Sequence, residues 1–262
     1  MAGLRTHIAG AEALLERIRA GGSEDEGLRG ILLAEGAVDA LFSGSVFPDS
    51  LYRGVFDDAA EAAHWKPFQR ALVARVADGS YVLSMMRFEE GQAARYAAFC
   101  LGTILHGAVD EPWHFDDPPF KSFLTEARER EGLSHGQVER YCDLFLLADE
   151  GMPPWTPWYP ELLIMDAFSS IGIRVGSDQL RLGRKKMERE LALYGRLAPR
   201  QARRLGRSYP WTKDNFMGDS FGGVGQGIAL ALEPLRLASS ALSAALIDRT
   251  AAPRAKDGRS HA

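Results

Sequence analysis

Apolar residues recur along this chain at the three-and-four spacing of an α-helix rather than in the alternation of a strand. From Ile8 to Ile18 that spacing puts Ala11, Leu14, Leu15 and Ile18 on one face, and Gly21-Gly22 ends the run. The same pattern predicts helices over 61–77, 90–109 and 134–148, with Ser134 as the N-cap of the last. Less regular helices are expected over 161–172 and 177–197. Ser80-Tyr81-Val82-Leu83 is the one strand-like run. The apolar stretch 227–247 is interrupted by Glu233, Pro234 and Arg236, which predicts a buried amphipathic helix rather than a membrane span. The expectation is an all-α protein: one multi-helix domain over 1–250, then a disordered tail over 251–262 that carries Pro253 and Gly258.

Composition narrows the class. Of 262 residues, 46% are hydrophobic and 25% charged, so a sizeable core is possible and global disorder is excluded. A net charge of −4 argues against a general polyanion binder. Cys100 and Cys142 are the only cysteines, which rules out a disulfide-stapled fold and any Cys-rich zinc or iron–sulfur site. The first residues carry Arg5, His7 and Glu12 and lack the unbroken apolar core of a secretory signal. As written, the sequence therefore predicts a cytoplasmic protein, with export from a missed upstream start as the alternative.

The charge is unevenly spread. Arg181 to Arg207 holds ten basic residues against Glu188 and Glu190. Such a stretch is either a solvated helix face or a surface for anionic headgroups. Pro153 to Pro160 is a stiff loop bearing Trp155, Trp158 and Tyr159, suited either to packing or to a lipid interface. The glycine-rich segment 218–227 lacks a preceding strand and a phosphate-binding lysine, so it reads as a turn before the last helix.

The chemistry concentrates in His106-Gly-Ala-Val-Asp110-Glu-Pro-Trp-His114. Helix positions four apart lie about 6 Å from one another on one face. His106, Asp110 and His114 would thus project imidazole, carboxylate and imidazole along one side, a nitrogen–oxygen–nitrogen set of the kind zinc takes. The run before them, Ala97 to Leu105, is almost wholly apolar. Ionisable groups on such a helix are costly unless a metal or partners satisfy them. Pro112 is expected to kink the helix and steer His114 toward a different ion. The alternative is a polar patch at a helix end. His135 and Glu139, one turn apart, are either two further ligands or a solvated pair.

Four motifs in order resemble one family. Gly3-Leu-Arg-Thr-His7-Ile8 is followed by Gly44-Ser-Val-Phe-Pro48-Asp49, read as a turn, with Tyr52 beyond it. Next comes Phe56 to Phe68, ending in His64-Trp-Lys-Pro-Phe68, and then the His106-x3-Asp110-x3-His114 helix. The set is similar to the zinc-dependent phospholipase C/D family, above all the catalytic domain of the glycosylphosphatidylinositol-specific phospholipases D. The resemblance covers about the first 115 residues.

That resemblance implies the all-α fold shared by zinc-dependent phospholipase C and trinuclear zinc nucleases, and up to three zinc ions. Asp49, His64, His106 and Asp110 would hold the first ion. His7 and a bridging Asp110 would hold the second, with the free amine of Ala2 as a further ligand if Met1 is removed. His114, His135 and Glu139 would hold the third. Zinc-activated water would attack the phosphodiester of a phospholipid or a glycosylphosphatidylinositol-type lipid, with Asp49 as general base. The ligands do not distinguish cleavage on the C side from the D side of the phosphate. One rival is a single-strand nuclease on the same fold, although those enzymes space the last two helix ligands more widely than Asp110 and His114. The other is a non-catalytic zinc-stabilised module that binds lipid or a partner. The expected partners are a phosphodiester substrate and an anionic membrane surface, with no specific nucleic acid.

Overall fold

The computed structural model describes residues 3–21, 26–53, 57–78, 92–114, 123–217 and 223–251. Every regular element among them is a helix, as the spacing of apolar residues predicts. In chain order these are α1 (Leu4–Ala20), α2 (Glu26–Leu32), α3 (Ala37–Tyr52), α4 (Asp57–His64), α5 (Lys66–Ala77) and α6 (Gln92–His114). There follow α7 (Phe123–Glu131), α8 (His135–Asp149), α9 (Glu161–Ser170), α10 (Ser177–Ser208), α11 (Pro210–Met217) and α12 (Gly223–Ala251).

Two helices form the spine. In α3 every residue from Ala40 to Leu51 is buried, and in α6 the run Tyr96 to His106 is buried. A helix that is apolar on all sides must be wrapped by others. Here α1, α4, α5 and α12 pack around the pair. Phe47, at the centre of α3, is ringed by Phe68, Phe99, Tyr159 and Phe168 at centroid distances of 5.3–6.4 Å. α3 and α6 pack closely at Gly44 and Gly102, where small residues bring the two backbones together. Smaller apolar clusters form around Phe123 beneath α7, α8 and α11, and around Leu144 and Ala198 between α8 and α10.

Several local expectations change. The helix expected over 61–77 is two, because the chain turns extended at Trp65 (φ −106°, ψ 155°) and restarts with Pro67 in the first turn of α5. Pro67 needs no amide partner there, and inside a continuous helix its ring would meet the carbonyl four residues back. The supposed turn from Gly44 to Asp49 is helical, with Pro48 inside α3. Packing on all sides holds the helix through a proline that would break an exposed one. α6 likewise runs past Val109 through Pro112 to His114, and α10 runs past Leu197 to Ser208 through Pro199.

The N-cap at Ser134 is as expected, and Gln137 Oε1 accepts from the Ser134 backbone N–H at 2.8 Å. The aromatic loop is packing rather than surface: Tyr159 is buried, and Trp155 and Trp158 lie half-buried on the core. Trp158 also takes the Arg95 guanidinium over its face at 4.6 Å. The strand candidate 80–83, residues 218–222 of the expected turn and 252–262 of the expected tail lie outside the described residues. The rest of that turn, Gly223 to Gly227, is helical and opens α12, and Ala251 closes that helix. Among the described residues no single helix is long and apolar enough to cross a membrane.

Candidate metal centre

Five of the expected ligands converge. His7 comes from the first turn of α1, Asp49 from the last turn of α3, and His64 closes α4. His106 and Asp110 stand one turn apart on α6. All five residues are buried. His7 Nε2 lies 3.4 Å from Asp110 Oδ1 and 3.8 Å from Asp49 Oδ2. His64 Nε2 lies 3.4 Å from Asp49 Oδ1 and 3.8 Å from Asp110 Oδ2. His106 Nε2 lies 3.5 Å from Asp110 Oδ2 and 3.9 Å from Asp49 Oδ1. The rings of His7 and His106 stack at 3.8 Å.

Backbone contacts fix two of these imidazoles. His64 Nδ1 is 2.7 Å from the Ala60 carbonyl, and His106 Nδ1 is 2.7 Å from the Ser45 carbonyl. A carbonyl only accepts, so each Nδ1 carries a proton and donates it. In the neutral ring Nε2 is then a bare lone pair, and on both residues it faces carboxylate oxygens, which are also acceptors. His7 Nδ1 and Nε2, His64 Nε2, His106 Nε2 and Asp49 Oδ1 are all buried without a hydrogen-bond partner. A bare Nε2 that faces carboxylate oxygens in a dry interior is a costly arrangement, and a bound cation would relieve it. Ligands at about 2.0–2.1 Å from a tetrahedral zinc ion lie roughly 3.3 Å apart. The separations here are close to that, and too long for hydrogen bonds. His7, Asp49 and His106 form one set whose ligand atoms could share an ion, and His64, His106 and Asp110 form another. The residues present therefore fit a divalent metal such as zinc.

The electrostatics agree. Burial, reinforced by the neighbouring His7, pushes the His106 pKa down to about 3, so its ring stays neutral, the form a metal would take. Burial opposes charge on His64, but the Asp49 and Asp110 carboxylates outweigh it and raise its pKa. Burial alone would raise Asp49, yet the three imidazoles hold its carboxyl below the usual range. Without a metal the cluster is thus a frustrated set of charges that hold one another in place.

Two residues that support the site were not foreseen. Asp143, on α8, accepts from the Arg5 and Thr6 backbone N–H groups at 3.1 and 3.0 Å and from the Thr6 hydroxyl at 3.1 Å. It caps α1 from 137 residues away and so fixes the turn that carries His7. A Cβ on Gly3 would lie 2.2 Å from the Asp143 carboxyl carbon, which explains why the first motif opens with glycine. Arg5, the variable position of that motif, is fully buried. Its guanidinium donates to Glu12 and Glu150, each at 2.7 Å, and to the Gly151 carbonyl at 2.8 Å. The signal available in the sequence was an aspartate set in the apolar run Cys142 to Leu147 of a helix.

The remaining expected ligands are not brought into the cluster by what is described. His114 ends α6, and its side chain lies outside the described residues, as does Ala2. His135 and Glu139 face one another at 2.5 Å across one turn of α8, with the His135 side chain half-exposed. At the mouth of the cluster, Tyr52 packs beside the His64 ring and donates to Glu61 at 3.1 Å. Trp65 Nε1 donates to the same carboxylate at 2.8 Å. An apolar groove of about 950 Å³ runs between α5, α6 and α12 and reaches His64 and Trp65, with Lys66 and Arg70 along it.

No family model matches the chain, and no solved structure matches it. Among known proteins it is similar to phosphatidylinositol-glycan-specific phospholipase D of Bos taurus, with 37% identity over 81 residues, 29% of this chain and 9% of that protein. It is also similar to phosphatidylinositol-glycan-specific phospholipase D of Mus musculus, with 31% identity over 117 residues, 43% of this chain and 13% of that one. The chain thus spans about a tenth of the length of these relatives.

Proposed function

We propose that this protein is a metal-dependent phosphodiesterase that uses zinc to hydrolyse the phosphodiester of a phospholipid or glycosylphosphatidylinositol-type lipid. The observation that carries the reading is the cluster of His7, Asp49, His64, His106 and Asp110, whose buried acceptor atoms face one another at ion-ligand separations. The similarity to two phospholipases D supports the reaction class. The apolar groove that reaches His64 supports a substrate with an apolar part.

Bound zinc supplies Lewis acidity toward a phosphoryl oxygen and brings the pKa of a water molecule near neutrality. The protein's part is positional. The Ala60 and Ser45 carbonyls lock His64 and His106 in the tautomer that presents Nε2. Asp143 holds the first turn of α1 so that His7 reaches Asp110 and Asp49. Asp110, within reach of all three imidazoles, would hold the metal together with them. Asp49 Oδ1 has no hydrogen-bond partner and accepts the proton of the attacking water. In this reading His114, His135 and Glu139 would hold a further zinc ion.

The test is hydrolysis by zinc-loaded protein of bis(p-nitrophenyl) phosphate, phosphatidylcholine, phosphatidylinositol and single-stranded DNA in parallel. Turnover of the model diester and at least one lipid, abolished by chelation and by Asp49→Asn, is expected. Turnover of single-stranded DNA alone would replace the lipid reading with a nuclease. No turnover of any diester by a folded, metal-loaded protein would overturn the assignment.

A further inference from the structure

We infer that the outer face of α10 is a docking surface for an anionic lipid bilayer. This helix has 32 residues and is about 48 Å long at 1.5 Å per residue. Its inner face is committed to the protein: Leu180, Met187, Leu191, Ala198 and Ala202 are buried against α3, α8 and neighbouring elements. Its outer face is of a different kind. At 100° per residue, eight exposed cations between Lys185 and Arg207 fall within about 60° of a single line along the helix. From Leu182 to Arg207 no acidic residue falls within that arc. Glu188 and Glu190 project to its sides, where Glu188 pairs with Arg184 and Glu190 with Arg53.

Three leucines share this line with the cations. Leu182, Leu193 and Leu197 are 42%, 53% and 39% exposed, an unusual display of apolar surface in the midst of positive charge. That combination selects the partner. A strand of nucleic acid would engage the cations but calls for aromatic platforms on which bases stack. The aromatic candidates, Trp155, Trp158 and Tyr159, are folded into the core instead. An anionic bilayer offers phosphates and carboxylates to the cations and an acyl region to the leucines beneath the headgroups. The net charge of the whole chain, −4, makes this one-sided concentration of positive charge an orienting feature as well as an adhesive one.

The face also connects with the candidate metal centre. Arg53, which follows α3, donates from Nε and Nη2 to Glu190 of α10 at 2.5 and 3.0 Å and from Nη1 to the Asp49 carbonyl at 2.8 Å. One guanidinium thus joins the helix that meets the bilayer to the backbone of a ligand. The docking itself does not depend on the metal reading.

Vesicle flotation in the presence of chelator tests the proposal without any assay of activity. Vesicles of pure phosphatidylcholine are compared with vesicles in which roughly a third of the lipid is phosphatidylserine. Anisotropy of a labelled single-stranded oligonucleotide is measured on the same protein. Binding to the anionic vesicles is expected to be about tenfold tighter or more than to neutral ones, and to weaken with salt. Lys186→Glu with Arg200→Glu should weaken it about tenfold. Leu193→Ser with Leu197→Ser should weaken vesicle binding several-fold and leave any oligonucleotide binding unchanged. All four positions are exposed, and unaltered thermal unfolding will show that the variants fold. Equal binding to neutral and anionic vesicles, indifference to the leucine variant, or tighter binding to the oligonucleotide than to the vesicles would each overturn the proposal.

Discussion

Gly44 of α3 and Gly102 of α6 lie back to back, with no room for a side chain on either. A Cβ on Gly44 would stand 2.2 Å from the Phe99 carbonyl oxygen, and one on Gly102 would stand 2.3 Å from the Leu41 carbonyl oxygen. Both obstacles are backbone, which cannot swing aside. This close approach lets the Ser45 carbonyl reach His106 Nδ1, and it sets the Asp49 carboxylate near His106 Nε2. Gly44→Ala or Gly102→Ala should therefore destabilise the fold by roughly 1–3 kcal/mol or more. Each should also lower zinc retention, because the two helices that carry most of the ligands are forced apart. Urea unfolding with and without zinc checks both effects.

Asp143 holds the entry of α1 by side-chain capping across the molecule. Asp143→Ala leaves two backbone donors and the Thr6 hydroxyl without their acceptor. It should cost roughly 1–3 kcal/mol in denaturant unfolding. The loss should be accompanied by weaker zinc binding through His7, measured by competition with a chromogenic chelator. Unchanged zinc affinity would show that α1 is held by other contacts.

The lowered pKa of His106 has a signed consequence for the metal-free protein. A histidine that stays neutral when folded, but titrates near 6.5 when unfolded, contributes stability that is present above pH 6.5 and is lost as the pH falls toward about 3. The difference in stability between wild type and His106→Asn, both in chelator, should shrink across that window. The raised pKa of His64 acts the other way: its contribution is present at low pH and is lost as the pH rises through the folded value. The His64→Asn difference should accordingly shrink as the solution turns alkaline. Chemical unfolding at a series of pH values separates the two.

The third ion of the proposal makes a separate claim. His135→Ala and Glu139→Ala change residues at the start of α8, where the His135 side chain is half-exposed. They should leave the melting temperature of the metal-free protein nearly unchanged and remove about one zinc ion per chain. If the zinc content is the same with and without these side chains, the pair is only a solvated contact.

The helices and the His106–Asp110 pair were legible in the sequence because they rest on local spacing, the three-and-four recurrence of apolar residues and a histidine and an aspartate one turn apart. His7, Asp49 and His64 sit in no such spacing and entered only through the resemblance of their motifs to a known family. His7, Asp49, His64, His106 and Asp110 do come together. What was not legible depends on packing between distant segments. Pro48 reads as a turn residue in isolation and becomes helical because α3 is enclosed on all sides. The loop of Trp155, Trp158 and Tyr159 reads equally well as an interface or a core, and only the fold places it against Phe47 and Tyr96. Asp143 and Arg5 carry no motif of their own. Their roles arise from pairings across more than 130 residues.

The metal content of the purified protein tests the central claim most directly. Elemental analysis after expression with added zinc, on wild type and on Asp110→Asn, counts what the cluster holds. Asp110 is within reach of His7, His64 and His106, so its amide should release zinc and lower phosphodiester turnover by roughly 10²–10³ or more. At least one zinc ion per wild-type chain, lost on this substitution and on chelation with a fall in melting temperature, is the predicted result. A folded wild-type protein that holds less than about one divalent ion per chain, and melts at the same temperature with and without chelator, would contradict it.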